Sequence, residues 1–177
     1  MASAFQRRKV VGVFDAMDPE GRGFLVEGDF ANLAARWTTL RGLQPESAQY
    51  TQLRDIMLGW WESLSAVALD PRQVHLDDVM AVVDVLPSMS DAVTATADAM
   101  FAAIDENGDG LISGAEYRQL LEAWNGRPSD TDEVFALLDL DADGFIPRGE
   151  FRLLWYQFWA GNDPHAPGTW VFGRFEG

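Results

Sequence analysis

The sequence predicts an all-α fold with minimal β: four helix–loop–helix units, arranged as two pairs and packed into one compact body of 177 residues. Three observations carry that prediction. Residues 105–116 and 139–150 repeat one spacing of oxygen-bearing side chains around a glycine, offset by 34 residues. Each segment is bracketed by aromatics, with Phe101 and Phe135 four residues before it and Tyr117 and Phe151 directly after. The stretches on either side are apolar at helical spacing, as Val93, Ala97, Met100, Phe101 and Ile104 show before the first segment.

The first unit centres on residues 18–29. Phe14 lies four residues before it and Phe30 directly after, so the helix–loop–helix frame is intact. The loop itself is altered, with Glu20 at its third position, Arg22 at its fifth and Asp29 at its twelfth. The second unit is fainter. An apolar-periodic segment from Tyr50 to Val67 and another from Val79 to Leu86 flank a loop that ends at Asp78, with Val74 in the place of a pairing residue. Its first, third and fifth positions are Val67, Leu69 and Pro71, so it cannot build a cation cage. Its expected role is to cover the apolar face of the first unit.

The third and fourth units are the informative ones. Asp105, Asn107, Asp109, Ser113 and Glu116 occupy loop positions 1, 3, 5, 9 and 12, and Asp139, Asp141, Asp143 and Glu150 repeat positions 1, 3, 5 and 12. Like charges at this density repel, and the ordinary reading is a solvated acidic face. The fixed spacing argues otherwise, because it is that of the EF-hand calcium loop. Short side chains at 1, 3 and 5 converge on one point as the chain wraps. Gly110 and Gly144 at position 6 permit the sharp turn. The carbonyls of Leu111 and Phe145 add an oxygen each, and the longer Glu116 and Glu150 reach back to close the shell. Ile112 and Ile146 are placed to pair the two loops through a short β-bridge.

Composition agrees. The chain has 28 acids against 13 bases, a net charge of −15, which disfavours nucleic acid and anionic membrane and favours a cation as partner. Residues 1–88 carry 12 acids and 8 bases, net −4; residues 89–177 carry 16 and 5, net −11. The absence of cysteine excludes disulfides, zinc–thiolate sites, iron–sulfur clusters and thiol nucleophiles. Only His75 and His165 are available for histidine chemistry, and no phosphate-cradling loop or nucleophile–base pair is present, so no enzyme is expected. The short apolar stretch at 10–14 is too brief for a signal-peptide core, no membrane span is evident, and Ala2 excludes myristoylation; the expectation is a cytoplasmic protein.

With these residues laid out, the chain resembles the sarcoplasmic calcium-binding proteins and their bacterial calerythrin-like relatives over nearly its full length. Four hands with an inactive second one, Asp29 closing the first loop, long aromatic-rich helices and an ending at 161–173 rich in glycine, proline and aromatics carry the resemblance. It implies metal in the first, third and fourth hands, and hence Asp18, Glu20, Phe24 and Asp29 as ligands of the first, a pattern from which Arg22 departs. An aspartate at position 12 also tilts a site toward Mg²⁺.

The sequence therefore predicts an N-terminal pair over residues 1–88 and a C-terminal pair over 89–177. Two Ca²⁺ sites are expected, with the first loop a third candidate and Mg²⁺ a competitor. The expected function is a Ca²⁺ and Mg²⁺ buffer that orders on binding, as the resemblance also implies. The alternatives are a calcium sensor acting on an unidentified protein and, remotely, a carrier of a small apolar ligand housed among the seven tryptophans. Stiff aromatics on the strong pair, where Met89 and Met100 are the only methionines and Met100 alone sits on a helix, favour a core over an adaptable groove.

Overall fold

A computed structural model describes residues 2–128 and 130–173. In chain order the first hand is α1 (Ala4–Met17), β1 (Phe24–Leu25) and α2 (Glu27–Leu40); the second is α3 (Ala48–Ser65), β2 (Val74–His75) and α4 (Leu76–Val85). The third comprises α5 (Ser90–Ile104), β3 (Leu111–Ser113) and α6 (Gly114–Asn125), and the fourth α7 (Asp132–Leu138), β4 (Phe145–Pro147) and α8 (Arg148–Trp159). Short 3₁₀ turns follow at Leu86–Ser88 and Pro167–Trp170. The all-α architecture with short β pairings is as the sequence predicts.

Local chemistry explains the helix limits. Ser3 and Ser47 accept hydrogen bonds from the amides of Gln6 and Tyr50, capping α1 and α3. Gly126, at φ 69°, ends α6 in the left-handed conformation that favours glycine. The loops pair antiparallel, β1 with β2 through Leu25 and Val74, and β3 with β4 through Ile112 and Ile146. All four of these side chains are buried.

The core runs without interruption through both pairs. Trp37, Met57, Phe101, Trp124, Trp155 and Phe158 are each no more than 2% exposed. Trp60, on α3, has its ring 5.9 Å from Trp124 and 5.8 Å from Trp155, so a residue of the first half sits among the aromatics of the second. Phe172, beyond α8, packs at 4.8 Å from Trp124 and 4.9 Å from Phe158. The space left among Val13, Trp60, Trp124 and Trp159 is about 40 Å³.

Three cations of the first half join it to the second in the same way. Lys9 Nζ donates to the carbonyls of Gln157 and Gly161 at 3.0 Å, at the end of α8. Arg36 Nε donates to Ala123 O at 2.8 Å, at the end of α6. Arg41 Nη2 donates to Ile104 O at 2.9 Å, the last residue of α5. Each places positive charge where a helix leaves unsatisfied carbonyls and the negative end of its dipole. No single helix among the described residues is long and apolar enough to cross a membrane.

Candidate metal centre

The third loop brings its three predicted acids together, and the fourth brings together three of its four, without Glu150. Oxygens of Asp105, Asp109 and Glu116 lie within 4.8 Å of one another, and so do those of Asp139, Asp141 and Asp143. The position-1 carboxylate is oriented by the position-6 amide in both. Gly110 N donates to Asp105 Oδ2 at 2.9 Å, and Gly144 N to Asp139 Oδ2 at 2.7 Å. That bond turns the other oxygen inward. Oδ1 of Asp105 and of Asp139 is buried and has no hydrogen-bond partner.

Side chains at positions 3 and 5 are fixed by short turns. Asn107 Oδ1 accepts from Asp109 N at 3.2 Å and Asp109 Oδ1 from Leu111 N at 3.0 Å; Asp141 and Asp143 do the same with Asp143 N at 3.3 Å and Phe145 N at 2.9 Å. Leu111 and Phe145 stand at the ends of the paired strands. The position-4 residue is left-handed in both loops, Gly108 at φ 69° and Ala142 at φ 57°. Ala142 carries a Cβ in a conformation that costs about 1–2 kcal/mol outside glycine.

The position-12 glutamates differ. Glu116 is held from two sides, Oε1 accepting from Ser113 N at 2.9 Å and Oε2 from Glu106 N at 2.6 Å. The first of these is half of a capping box, in which the third residue of α6 bonds back to the residue that caps it. In the fourth hand the residue in the capping place is Pro147, which has no N–H to give. Glu150 Oε2 is buried and without a partner. Burial, with Asp141, Asp143 and Asp139 close by, pushes the Glu150 carboxyl above its ordinary range. Asp141 is pushed up as well, by burial and then by Asp143 and Asp139.

Buried carboxylate oxygens without donors are costly and rare. Three of them, one in the third loop and two in the fourth, lie among like charges in loops of hard oxygen donors. This donor set fits a divalent cation such as Ca²⁺, which takes 6–8 oxygens at about 2.3–2.6 Å.

The two N-terminal loops are satisfied from within. Asp18 Oδ2 accepts from Gly23 N at 2.8 Å, as its counterparts do. Its Oδ1, however, receives Arg22 N and Arg22 Nε, both at 3.1 Å. Arg22 Nη2 reaches Asp29 at 2.8 Å and 2.7 Å from its two oxygens, and Val26 N donates to Asp29 Oδ2 at 2.8 Å. Glu20 is exposed, while Phe24 is half-buried with Arg22 5.4 Å over its ring. In the second loop Asp78 accepts from His75 N at 2.9 Å and Leu69 N at 3.4 Å, while Val67 and Leu69 point to solvent, 60% and 98% exposed. The sequence marks Arg22 as a misfit in a cation loop; that it spans positions 1 and 12 is visible only in three dimensions.

Comparison with known proteins agrees with this geometry. Residues 95–156 match the model of an EF-hand domain pair, which spans the third and fourth loops. No curated protein sequence matches the chain. Among solved structures it is similar to the calcium-loaded apo form of the coelenterazine-binding protein from Renilla muelleri, at 19% identity and a TM-score of 0.74, covering 98% of this chain and 100% of that one. It is similar to a sarcoplasmic calcium-binding protein from amphioxus at 16% identity, a TM-score of 0.70, and 99% and 100% coverage. A Streptomyces coelicolor calcium-binding protein follows at 20% identity, a TM-score of 0.68, and 89% and 99% coverage. At these identities the likeness establishes the fold. The matched segment, residues 95–156, holds the two acidic loops.

Proposed function

We propose that this EF-hand chain is a calcium buffer, with one Ca²⁺ held in each of the third and fourth loops and Mg²⁺ competing for them. The observation that carries the reading is the trio of buried, unpartnered oxygens: Asp105 Oδ1, Asp139 Oδ1 and Glu150 Oε2. Asp105, Asn107, Asp109, Glu116 and the Leu111 carbonyl would hold the third ion; Asp139, Asp141, Asp143, Glu150 and the Phe145 carbonyl the fourth. A bound ion neutralises the acids and satisfies these oxygens, so binding free energy becomes order in the C-terminal pair. The likeness to a sarcoplasmic calcium-binding protein and to a coelicolor calcium-binding protein supports the reading at the level of fold. The family within the EF-hand proteins that this chain joins is, on the same reading, the sarcoplasmic and calerythrin-like one.

Titration calorimetry on protein stripped of metal tests it. The expected result is two Ca²⁺ per chain, reduced to one in E150Q. That substitution removes a charged contact worth about 1.5–3 kcal/mol, or roughly 10–100-fold in affinity at the fourth site. No heat, or an unchanged count and affinity in E150Q, would contradict the reading.

The sensor reading has one observation in its favour. An apolar groove of about 290 Å³ lies between α3, α4, α5 and α8, lined by Trp60, Val79, Val83, Val93 and Trp159, with Met89 at 46% exposure on its rim. A hydrophobic dye added with Ca²⁺ against a Mg²⁺ background separates the two: falling fluorescence supports the buffer, rising fluorescence the sensor.

A further inference from the structure

The first loop differs from the third and fourth at one pair of atoms. In all three, Oδ2 of the position-1 aspartate accepts from the position-6 glycine, at 2.8 Å in Asp18, 2.9 Å in Asp105 and 2.7 Å in Asp139. The fold thus presents the same carboxylate in the same way three times. Oδ1 is buried and unpartnered in Asp105 and Asp139. In Asp18 the equivalent oxygen carries two bonds from Arg22.

The far arm of the same guanidinium completes the picture. Arg22 Nη2 is within 2.8 Å of both oxygens of Asp29, the position-12 residue. One side chain therefore joins position 1 to position 12, the two ends of the loop that a bound cation joins in an EF-hand. A guanidinium suits the task because it is always charged and offers several donors in a rigid plane. The three side chains are largely enclosed, with Arg22 28%, Asp18 3% and Asp29 13% exposed. Burial alone would push the Asp18 carboxyl up; the amides of Gly23 and Arg22, and the guanidinium, hold it below its ordinary range.

Charge follows the same pattern. At loop positions 1, 3, 5 and 12, Asp18, Glu20, Arg22 and Asp29 sum to −2 in the first loop, while Asp105, Asn107, Asp109 and Glu116 sum to −3 in the third. A divalent ion entering the first loop would displace a paired guanidinium and then lie beside it.

We propose that Arg22 is the resident cation of the first hand: it closes the loop in place of a metal, excludes Ca²⁺ and Mg²⁺ from it, and makes the order of the N-terminal pair independent of either ion. The first loop is joined to the second through the pairing of Leu25 with Val74, and Asp78 closes that second loop with hydrogen bonds to its own backbone. The N-terminal pair is thereby a preformed half, against which the C-terminal pair orders. This inference deepens the two-site reading and rests on it only for the behaviour of the C-terminal loops.

Peptide-resolved hydrogen exchange on the full chain, in chelator and in Ca²⁺, tests both and keeps them apart. The expected result is strong Ca²⁺-dependent protection in segments 105–116 and 139–150. Segment 18–29 is expected to be protected already in chelator and to change at least tenfold less. An equal response of 18–29 to Ca²⁺ would overturn the proposal. Protection of 18–29 in chelator with no response at 105–116 and 139–150 would support the proposal and sink the two-site reading.

Two variants sharpen the result. R22Q, which keeps the length but loses the charge, is expected to lose about tenfold or more of the protection of 18–29 in chelator, and R22K, which keeps the charge without the fork, to recover part of it. Unchanged exchange in R22Q would overturn the proposal. So would three Ca²⁺ bound to the wild-type chain in native mass spectrometry.

Discussion

The fate of single oxygen atoms separates the four loops. Where the chain supplies a donor to the inner oxygen of position 1, as Arg22 does to Asp18, the loop is complete by itself. Where it supplies none, at Asp105 and Asp139, the inner oxygen is left for the proposed Ca²⁺. Glu150 adds a second unpartnered oxygen to the fourth loop for a reason that lies three residues away, since Pro147 cannot donate the amide that Ser113 gives Glu116. P147S restores both that amide and a capping hydroxyl, with Ser113 as its precedent. It is expected to stabilise the metal-free protein by about 1 kcal/mol, the usual worth of a cap, and to narrow the gap in denaturant midpoint between metal-free and Ca²⁺-loaded protein. A wider gap would show that Glu150 is not the group concerned. The acids themselves are legible in the sequence because ligand spacing along a loop is local. The partners of Arg22 and the effect of Pro147 are not, because both depend on which atoms the folded loop brings within 3 Å of each other.

The helices were legible from the period of their apolar residues and the aromatics bracketing each loop, and all four hands stand where that pattern places them. The faint second hand is the instructive case. Its ligands are gone, yet Val74 still pairs with Leu25 and Asp78 still bonds the amide of His75, so the frame outlives the site. The turn after α8 is less legible, because close packing of backbone on backbone leaves no periodic mark. The sequence suggests that Pro167, Trp170 and Phe172 cover the surface between the halves. Phe172 is inserted among Trp124, Trp155 and Phe158, and Tyr117 donates its hydroxyl to Val171 O at 2.8 Å. Residues 174–177 lie outside the described residues. Gly168 carries the approach: a Cβ there would meet Leu154 O at 2.2 Å and Gln157 Cβ at 2.5 Å. G168A is therefore expected to lift this turn from α8 at a cost of about 1–3 kcal/mol, read as a lowered melting midpoint and new protease cleavage beyond residue 160. A wild-type midpoint would mean that the turn carries no stability.

At the scale of the whole molecule, the two halves meet through aromatic packing and through cations set on helix ends. Lys9, Arg36 and Arg41 project from the less acidic half onto carbonyls ending α8, α6 and α5 of the more acidic one. None of these pairings is readable in sequence, since each links residues more than 60 positions apart. Arg41 also lies 3.9 Å from Glu106 at the second position of the third loop, which ties that loop to the first half. Burial lowers the Lys9 amine to about 8, against 10.5 ordinarily. Between these values the unfolded chain binds a proton that the folded chain does not, so this group's contribution to stability rises with pH from about 8 to about 10.5. Tyr117, buried and pushed up, opposes it from about pH 10 upward, where the unfolded phenol ionises and the folded one does not. Chemical denaturation of wild type and K9M between pH 8 and 10 is expected to show the wild type with the steeper upward slope; parallel curves would remove Lys9 from the account.

On the proposed function, cation binding in the C-terminal pair supplies a large share of the molecule's order, and the melting midpoint in chelator against that in 1 mM Ca²⁺ tests this most directly. At about 1,000 times the dissociation constant each site adds about 4 kcal/mol. Two sites add about 8 kcal/mol, which for a chain of this size is a rise of roughly 16–30 °C. A rise of that order, with a smaller one in E150Q, is the result predicted. Equal midpoints in chelator and in Ca²⁺ would contradict it.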